Sequence, residues 1–223
     1  PRVNDNSGDM QAVVHRLNRV VTILRMLVQK IDILDTMTPM DFLDFRDMLR
    51  PASGFQSWQF KVLEARLGLK FDNRFGQQYY LSQLNQKEID IIKNAEKGKS
   101  VVQLLNSWLE RMPFAEDKKY WPEEHNYWTE YEKIFTGSLS EAEKNNAAFF
   151  KHYLFTNDNN AERSLSSKAC RSALFIMLYR GYPMLELPFQ LLNTLLEVDH
   201  QLGNWRYRHI NMFLKKFRKL AAF

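Results

Sequence analysis

Apolar residues spaced three and four apart constrain this chain most, because side chains at those spacings share one face of a helix. From Asp9 to Asp35 the series Met10, Val13, Leu17, Val20, Leu24, Leu27, Ile31 and Leu34 alternates steps of three and four without a break. Val14, Val21 and Val28 widen that stripe, which favours burial within a bundle over a two-stranded seam. A second long pattern opens at Pro188 and carries Leu191, Leu195, Val198, Leu202, Trp205 and Met212, with His209 where the next apolar residue should be. No segment shows convincing period-two alternation. The expectation is an all-α protein, a multi-helix bundle.

Local signals divide the middle of the chain. Thr38 can cap a helix over Met40–Leu49, with Pro39 at its first position and Asp41 completing a box-like cap. Pro51-Ala52-Ser53-Gly54-Phe55-Gln56 breaks that helix and starts one carrying Phe55, Phe60, Leu63 and Leu67, ended by Gly68. Gln86–Lys97 reads as an exposed helix ended by Gly98. Ser100 can cap the next, which Pro113 closes. Pro122–Phe135, with Trp128, Tyr131 and Ile134 on one side, and Ser138–Phe155 also read as helices. Ser166 or Ser167 opens Lys168–Tyr179, which is apolar almost all round and so should be central. Gly181 and Pro183 terminate it, and the final helix starts at Pro188.

Composition narrows the class. The 223 residues are 45% hydrophobic and 13% aromatic, ample for a packed core. No Gly-rich or Ser-rich linker interrupts them, so residues 1–223 read as one domain. A lone cysteine, Cys170, excludes an internal disulfide framework and suits a reducing, cytoplasmic setting. No apolar run approaches the roughly 20 residues that span a bilayer, and no signal-peptide pattern opens the chain. The basic cluster Lys215, Lys216, Arg218 and Lys219 reads as a solvated helix end, since no nucleic-acid motif accompanies it. A weaker reading docks that helix, through Phe213, Phe217 and Leu220, on a partner or membrane surface. Zinc spacing and a Gly-rich phosphate loop are absent from the sequence, and Cys170 has no His or Asn partner nearby in sequence.

Two residues stand out against their helical surroundings. His209 points at whatever its helix packs against, so it is either a hydrogen-bonded core histidine or an axial ligand to a haem iron. Trp205 offers a flat wall beside it, and Arg206 or Arg208 could meet a propionate. Position alone does not choose. Arg46 shares a side with Phe42, Phe45 and Leu49, and no carboxylate occupies its helical neighbour positions. It either pairs with a distant acid or holds a ligand carboxylate with two parallel bonds. Ala52, Ser53 and Gly54 make either a tight turn or a floor that a flat ligand can approach closely.

The stretch from Leu34 to Phe42, followed by Asp44-Phe45-Arg46 and Pro51-Ala52-Ser53-Gly54-Phe55-Gln56-Ser57, resembles the tryptophan 2,3-dioxygenase family. Trp108-Leu109-Glu110-Arg111, then Pro188-Phe189-Gln190-Leu191-Leu192, then Trp205-Arg206-Tyr207 with His209, are similar to the family in the family's order. The resemblance runs from about Val3 to Met212 and is weak over 114–163, which reads as a variable helical insertion. It implies that His209 is the proximal ligand to the iron of haem b, with Trp205 beside the haem and Ala52, Ser53 and Gly54 close to it. It implies that Arg46 holds the carboxylate of L-tryptophan, that Phe42 packs on the indole, and that Leu49 and Ser53 line the pocket. The implied activity is insertion of O2 into L-tryptophan to give N-formylkynurenine, the first step of the kynurenine pathway, by a cytoplasmic homotetramer. No nucleic-acid or membrane partner is implied.

Two family features are expected to be missing: the N-terminal segment with the distal His, and the Gly-Thr-Gly-Gly-type loop after His209. No catalytic residue is therefore identified in this chain. The alternative reading is a catalytically incomplete relative that serves as a helical binding or assembly module.

Overall fold

Side-chain caps set most helix starts in the computed structural model, which describes residues 9–49, 57–69, 81–114, 126–156 and 164–220. The helices are α1 (Met10–Asp35), α2 (Pro39–Arg46), α3 (Trp58–Leu67), α4 (Gln86–Lys97), α5 (Val101–Glu110), α6 (Tyr127–Ser138), α7 (Asn146–Phe155), α8 (Ser167–Leu178) and α9 (Pro183–Leu220). No strand occurs among the described residues, so the all-α expectation holds. Thr38, Asn85 and Ser100 each close a reciprocal capping box, with Asp41, Glu88 and Gln103 respectively. Such a box satisfies two backbone donors that a helix start otherwise leaves open. Gly68 ends α3 at φ +130°, a conformation that L side chains rarely adopt.

The described chain gathers into two compact units. The first spans Trp58–Leu185. In it α3 packs against α4 and α5, while α8 packs against α5 and α7. Leu109, Ala169, Ser172 and Ile176 are all fully buried there, so α8 has the central place expected of it. Rings stack through the same unit, with Phe114 on Phe175 at 4.7 Å and Phe135 on Phe150 at 4.4 Å. Burial and a hydrogen bond with Tyr179 push the Tyr127 hydroxyl well above the usual phenol range, so it stays protonated. The buried Arg171 guanidinium donates to the Leu154 carbonyl and faces the Phe155 ring.

The second unit joins Ser7–Ser57 to Glu186–Phe223. Fourteen residues separate Asn18 from Asp32 on α1, and the same interval separates their partners Thr194 and Arg208 on α9. The two helices therefore run in the same direction. Arg25 adds a contact between them, donating from Nε and Nη2 to Glu197 Oε1, about one turn past Thr194, at 3.2 and 2.8 Å.

Several expectations need correction. The face of α1 that is buried carries Val14, Val21, Leu24, Val28 and Ile31, whereas Val20, Leu27 and Leu34 from the expected main stripe are 40–45% exposed. Both sets are apolar, so the spacing left the centre of the face open. Asn18, Arg25 and Asp32, which reach α9, lie beside the buried Val14–Val21–Val28 side and away from Val20 and Leu27. The final helix begins at Pro183, with Pro188 inside it. A proline there forfeits one backbone bond near the helix start, where few bonds depend on it. The helix expected over Ser138–Phe155 is divided, because Ser140 and Glu143 form a capping box on a 3₁₀ turn at Glu141–Glu143 before α7. Helix α4 is not simply exposed, since Ile92 and Ala95 are buried. Ile134 is 70% exposed, unlike the buried Trp128 with which it was grouped. The expected helix start around Ser53 and Phe55 lies outside the described residues.

Candidate functional site

The described residues proposed for a site from sequence fall in the second unit, on α2, in the turn that follows it or on α9. The best-defined part is on α9. Trp205 and His209 are one helical turn apart and share a face. Their rings stack at 5.0 Å between centroids and 10° between planes. Both are half-buried. Burial lowers the proton affinity of His209 below the ordinary histidine value, which favours the neutral imidazole at neutral pH.

The neighbouring arginines divide. Arg208 pairs with Asp32 of α1, with Nη1 donating to Oδ2 at 3.4 Å and Nη2 to Oδ1. Its guanidinium is thus engaged within the helix pair and is not held out for an anionic group. Arg206 is exposed. Sequence inspection passed over Asp32, although Asn18, Arg25 and Asp32 are spaced at seven-residue intervals along α1. That spacing is the signal for a polar edge along a helix pair.

Farther along α9, Arg25 and Gln201 both donate to Glu197, and they hold its carboxyl below the usual carboxylate range. Thr194 is buried, donates its hydroxyl proton to the Gln190 carbonyl at 2.6 Å, and lies 3.4 Å from the Asn18 side-chain amide.

The second group sits on α2. Thr38 and Asp41 fix its start, with Thr38 N donating to Asp41 Oδ2 at 2.8 Å and Asp41 N to Thr38 Oγ1 at 3.2 Å. Phe42 is half-buried and meets Phe45 edge to face at 5.5 Å. The backbone places Arg46 at the last position of α2 and Leu49 at the end of a 3₁₀ turn over Asp47–Leu49. The side chains of Arg46 and Leu49, and all of Ala52, Ser53 and Gly54, lie outside the described residues.

Among the described residues no group of three or more His, Cys, Asp or Glu side chains converges to hold a metal ion. Cys170 is half-buried near the start of α8. No helix among the described residues is long and apolar enough to cross a membrane.

Comparison of the sequence with known proteins points to one family. The sequence model described as tryptophan 2,3-dioxygenase matches residues 2–153 and 145–217. The tryptophan 2,3-dioxygenase of Alteromonas mediterranea is 39% identical over 223 residues, covering 90% of this chain and 62% of its own length. That of Bdellovibrio bacteriovorus is 34% identical over 237 residues, covering 93% of this chain and 64% of its own. That of Mus musculus is 34% identical over 230 residues, covering 92% and 55%. The chain thus spans less than two thirds of the length of the curated relatives it matches.

Proposed function

The chain belongs to the tryptophan 2,3-dioxygenase family, and on that premise we propose that it oxidises L-tryptophan with O2 to N-formylkynurenine, the first step of the kynurenine pathway, using haem b. The family match across residues 2–217 carries the reading. The His209 geometry supports it, because haem iron takes a neutral imidazole as its axial protein ligand and burial favours that form of His209. The donor chemistry therefore fits the cofactor, and Trp205 fixes the ring that would hold it.

Haem, when bound, supplies the activation of oxygen. The chain's own residues bind and orient. His209 holds the iron. Ala52, Ser53 and Gly54 let the flat macrocycle come near the backbone. The guanidinium of Arg46 receives the carboxylate of L-tryptophan in two parallel bonds. Phe42 packs on the indole, with Leu49 and Ser53 lining the rest. Apolar lining excludes water and so strengthens the charge-assisted bond at Arg46. Residues 1–223 act as one functional domain with 114–163 as its variable part. The protein works as a cytoplasmic homotetramer, and the exposed apolar residues of α1 support self-association.

The test is an absorption spectrum of the purified chain supplied with ferric haem. A Soret band shifted from that of free haem, and lost in His209→Ala, is expected. Arg46→Ala should then raise the KM for tryptophan roughly tenfold to a hundredfold, the cost of a hydrogen bond to a charged group. A wild-type chain with no His209-dependent Soret band would sink the proposal. Haem binding without any turnover would leave a binding module in place of an enzyme.

A further inference from the structure

Asp32 lies on α1, 176 residues from the arginine it grips on α9, and that arginine is the immediate neighbour of His209. We propose that Asp32 is a positioning residue for haem ligation by His209, acting through Arg208. The inference rests on the haem reading of His209.

The argument is geometric. Successive residues on a helix project about 100° apart around its axis. Tying Arg208 to α1 therefore fixes the direction in which His209 leaves α9. The Asn18–Thr194 and Arg25–Glu197 contacts hold the same helix pair in register upstream, so α9 is restrained at three levels along α1. The stack of Trp205 on His209 then fixes the ring on that direction. Rotation of α9 and rotation of the ring are the two freedoms that would misplace the nitrogen; the Asp32–Arg208 contact is the restraint on the first that lies nearest His209, and the Trp205 stack restrains the second.

The pair is exposed, with the side chains of Arg208 and Asp32 at 36% and 56%. Exposed pairs contribute little to folding. A change in ligation without a change in folding is therefore the distinguishing result.

The experiment titrates ferric haem into the full chain as wild type, Asp32→Ala, Asp32→Glu, Arg208→Ala, the double variant, the reversed pair (Asp32→Arg with Arg208→Asp), and His209→Ala. Affinity is read from the Soret band. The iron–histidine stretching frequency of the reduced protein is read by resonance Raman, and helicity by circular dichroism. Asp32→Ala and Arg208→Ala should each weaken haem binding roughly twofold to fivefold, the scale of an exposed pair. Both should shift or broaden the iron–histidine band at unchanged helicity. The double variant should be no worse than either single one, and Asp32→Glu and the reversed pair should recover most of the loss.

Unchanged affinity and frequency in Asp32→Ala overturn the inference. So does a loss in Arg208→Ala alone, which would make Arg208 a partner of the haem itself. Lost helicity in Asp32→Ala also overturns it, because the pair would then hold the fold and not the ligand. A wild type lacking any His209-dependent band defeats the haem reading and this inference together, whereas a normal wild type with unaffected Asp32 variants defeats this inference alone.

Discussion

The two compact units solve the packing problem differently. The unit spanning Trp58–Leu185 closes its core, with Ile92, Leu109, Ala169 and Ile176 at no more than 1% exposure. Its rings stack on one another, and its buried arginine is satisfied by a carbonyl. The unit built from α1, α2 and α9 relies on a helix pair edged by polar contacts. It leaves Val20, Ile23 and Leu27 of α1 at 40–46% exposure. It is also the unit that carries Phe42, Arg46, Trp205 and His209. The first unit also exposes apolar side chains, with Ile134, Phe149 and Tyr182 at 61–70%, so the two units differ in how their cores close and not in having apolar surface.

The largest effect that would test this contrast is a cavity in the first unit. Ile176→Ala, at a site with no exposure, should destabilise the chain by about 2–5 kcal/mol in urea unfolding. A loss below about 1 kcal/mol would mean that the core around α8 is not close-packed. Next comes the start of that helix. Ser166 caps α8 by accepting from Ala169 N at 3.2 Å, and its hydroxyl donates to Glu110 of α5 at 2.6 Å. Ser166→Ala removes both bonds and should cost about 1–2 kcal/mol. Ser166→Thr keeps the hydroxyl and should recover most of it. Equal losses in the two variants would show that shape, not the hydroxyl, matters there.

The same contrast explains what could be read before folding. Caps are local, so Thr38, Ser100 and Ser166 announced their helices through residues three positions away. The α9 stripe with His209 on it was equally readable, because one helix period suffices. The buried face of α1 was not, since Val13, Val20 and Leu27 are as apolar as Val14, Val21 and Val28. Only the contacts with α9 separate them. The Asp32–Arg208 pair was hidden for the same reason, as nothing near either residue in sequence marks the other. Pro188 misled because a proline fits the start of a helix and also survives within its first turns.

A smaller effect concerns pH. The proton affinity of His209 is lowered in the folded chain, so the unfolded chain takes up its proton first as pH falls. The stability associated with the neutral ring is complete above the ordinary histidine value near 6.5. It is lost as pH falls from there through the lower folded value, and then levels. His209→Phe keeps a ring against Trp205 but cannot titrate. Haem-free wild type and variant, melted at several pH values between 5 and 8, should diverge only on the acid side. Parallel curves would show that His209 is solvated like an ordinary surface histidine.

The smallest expected effect on folding sharpens the comparison most. Leu27 is 43% exposed on the outward side of α1, so Leu27→Lys removes little buried surface. Substitutions at such positions usually stay within about 0.5 kcal/mol. Yet the same residue belongs to an apolar strip with Val20 and Ile23, and uncovered strips of that kind drive association. In sedimentation velocity over a range of concentrations, the wild type should associate and Leu27→Lys should shift toward the smaller species, at an unchanged melting temperature. A lower melting temperature at unchanged association would reverse the assignment, placing Leu27 in the folded core. An unchanged melting temperature with unchanged association would move the self-association surface off α1. Neither result bears on the proposed role of His209 on α9, so the α1 strip and the His209 face can be tested independently.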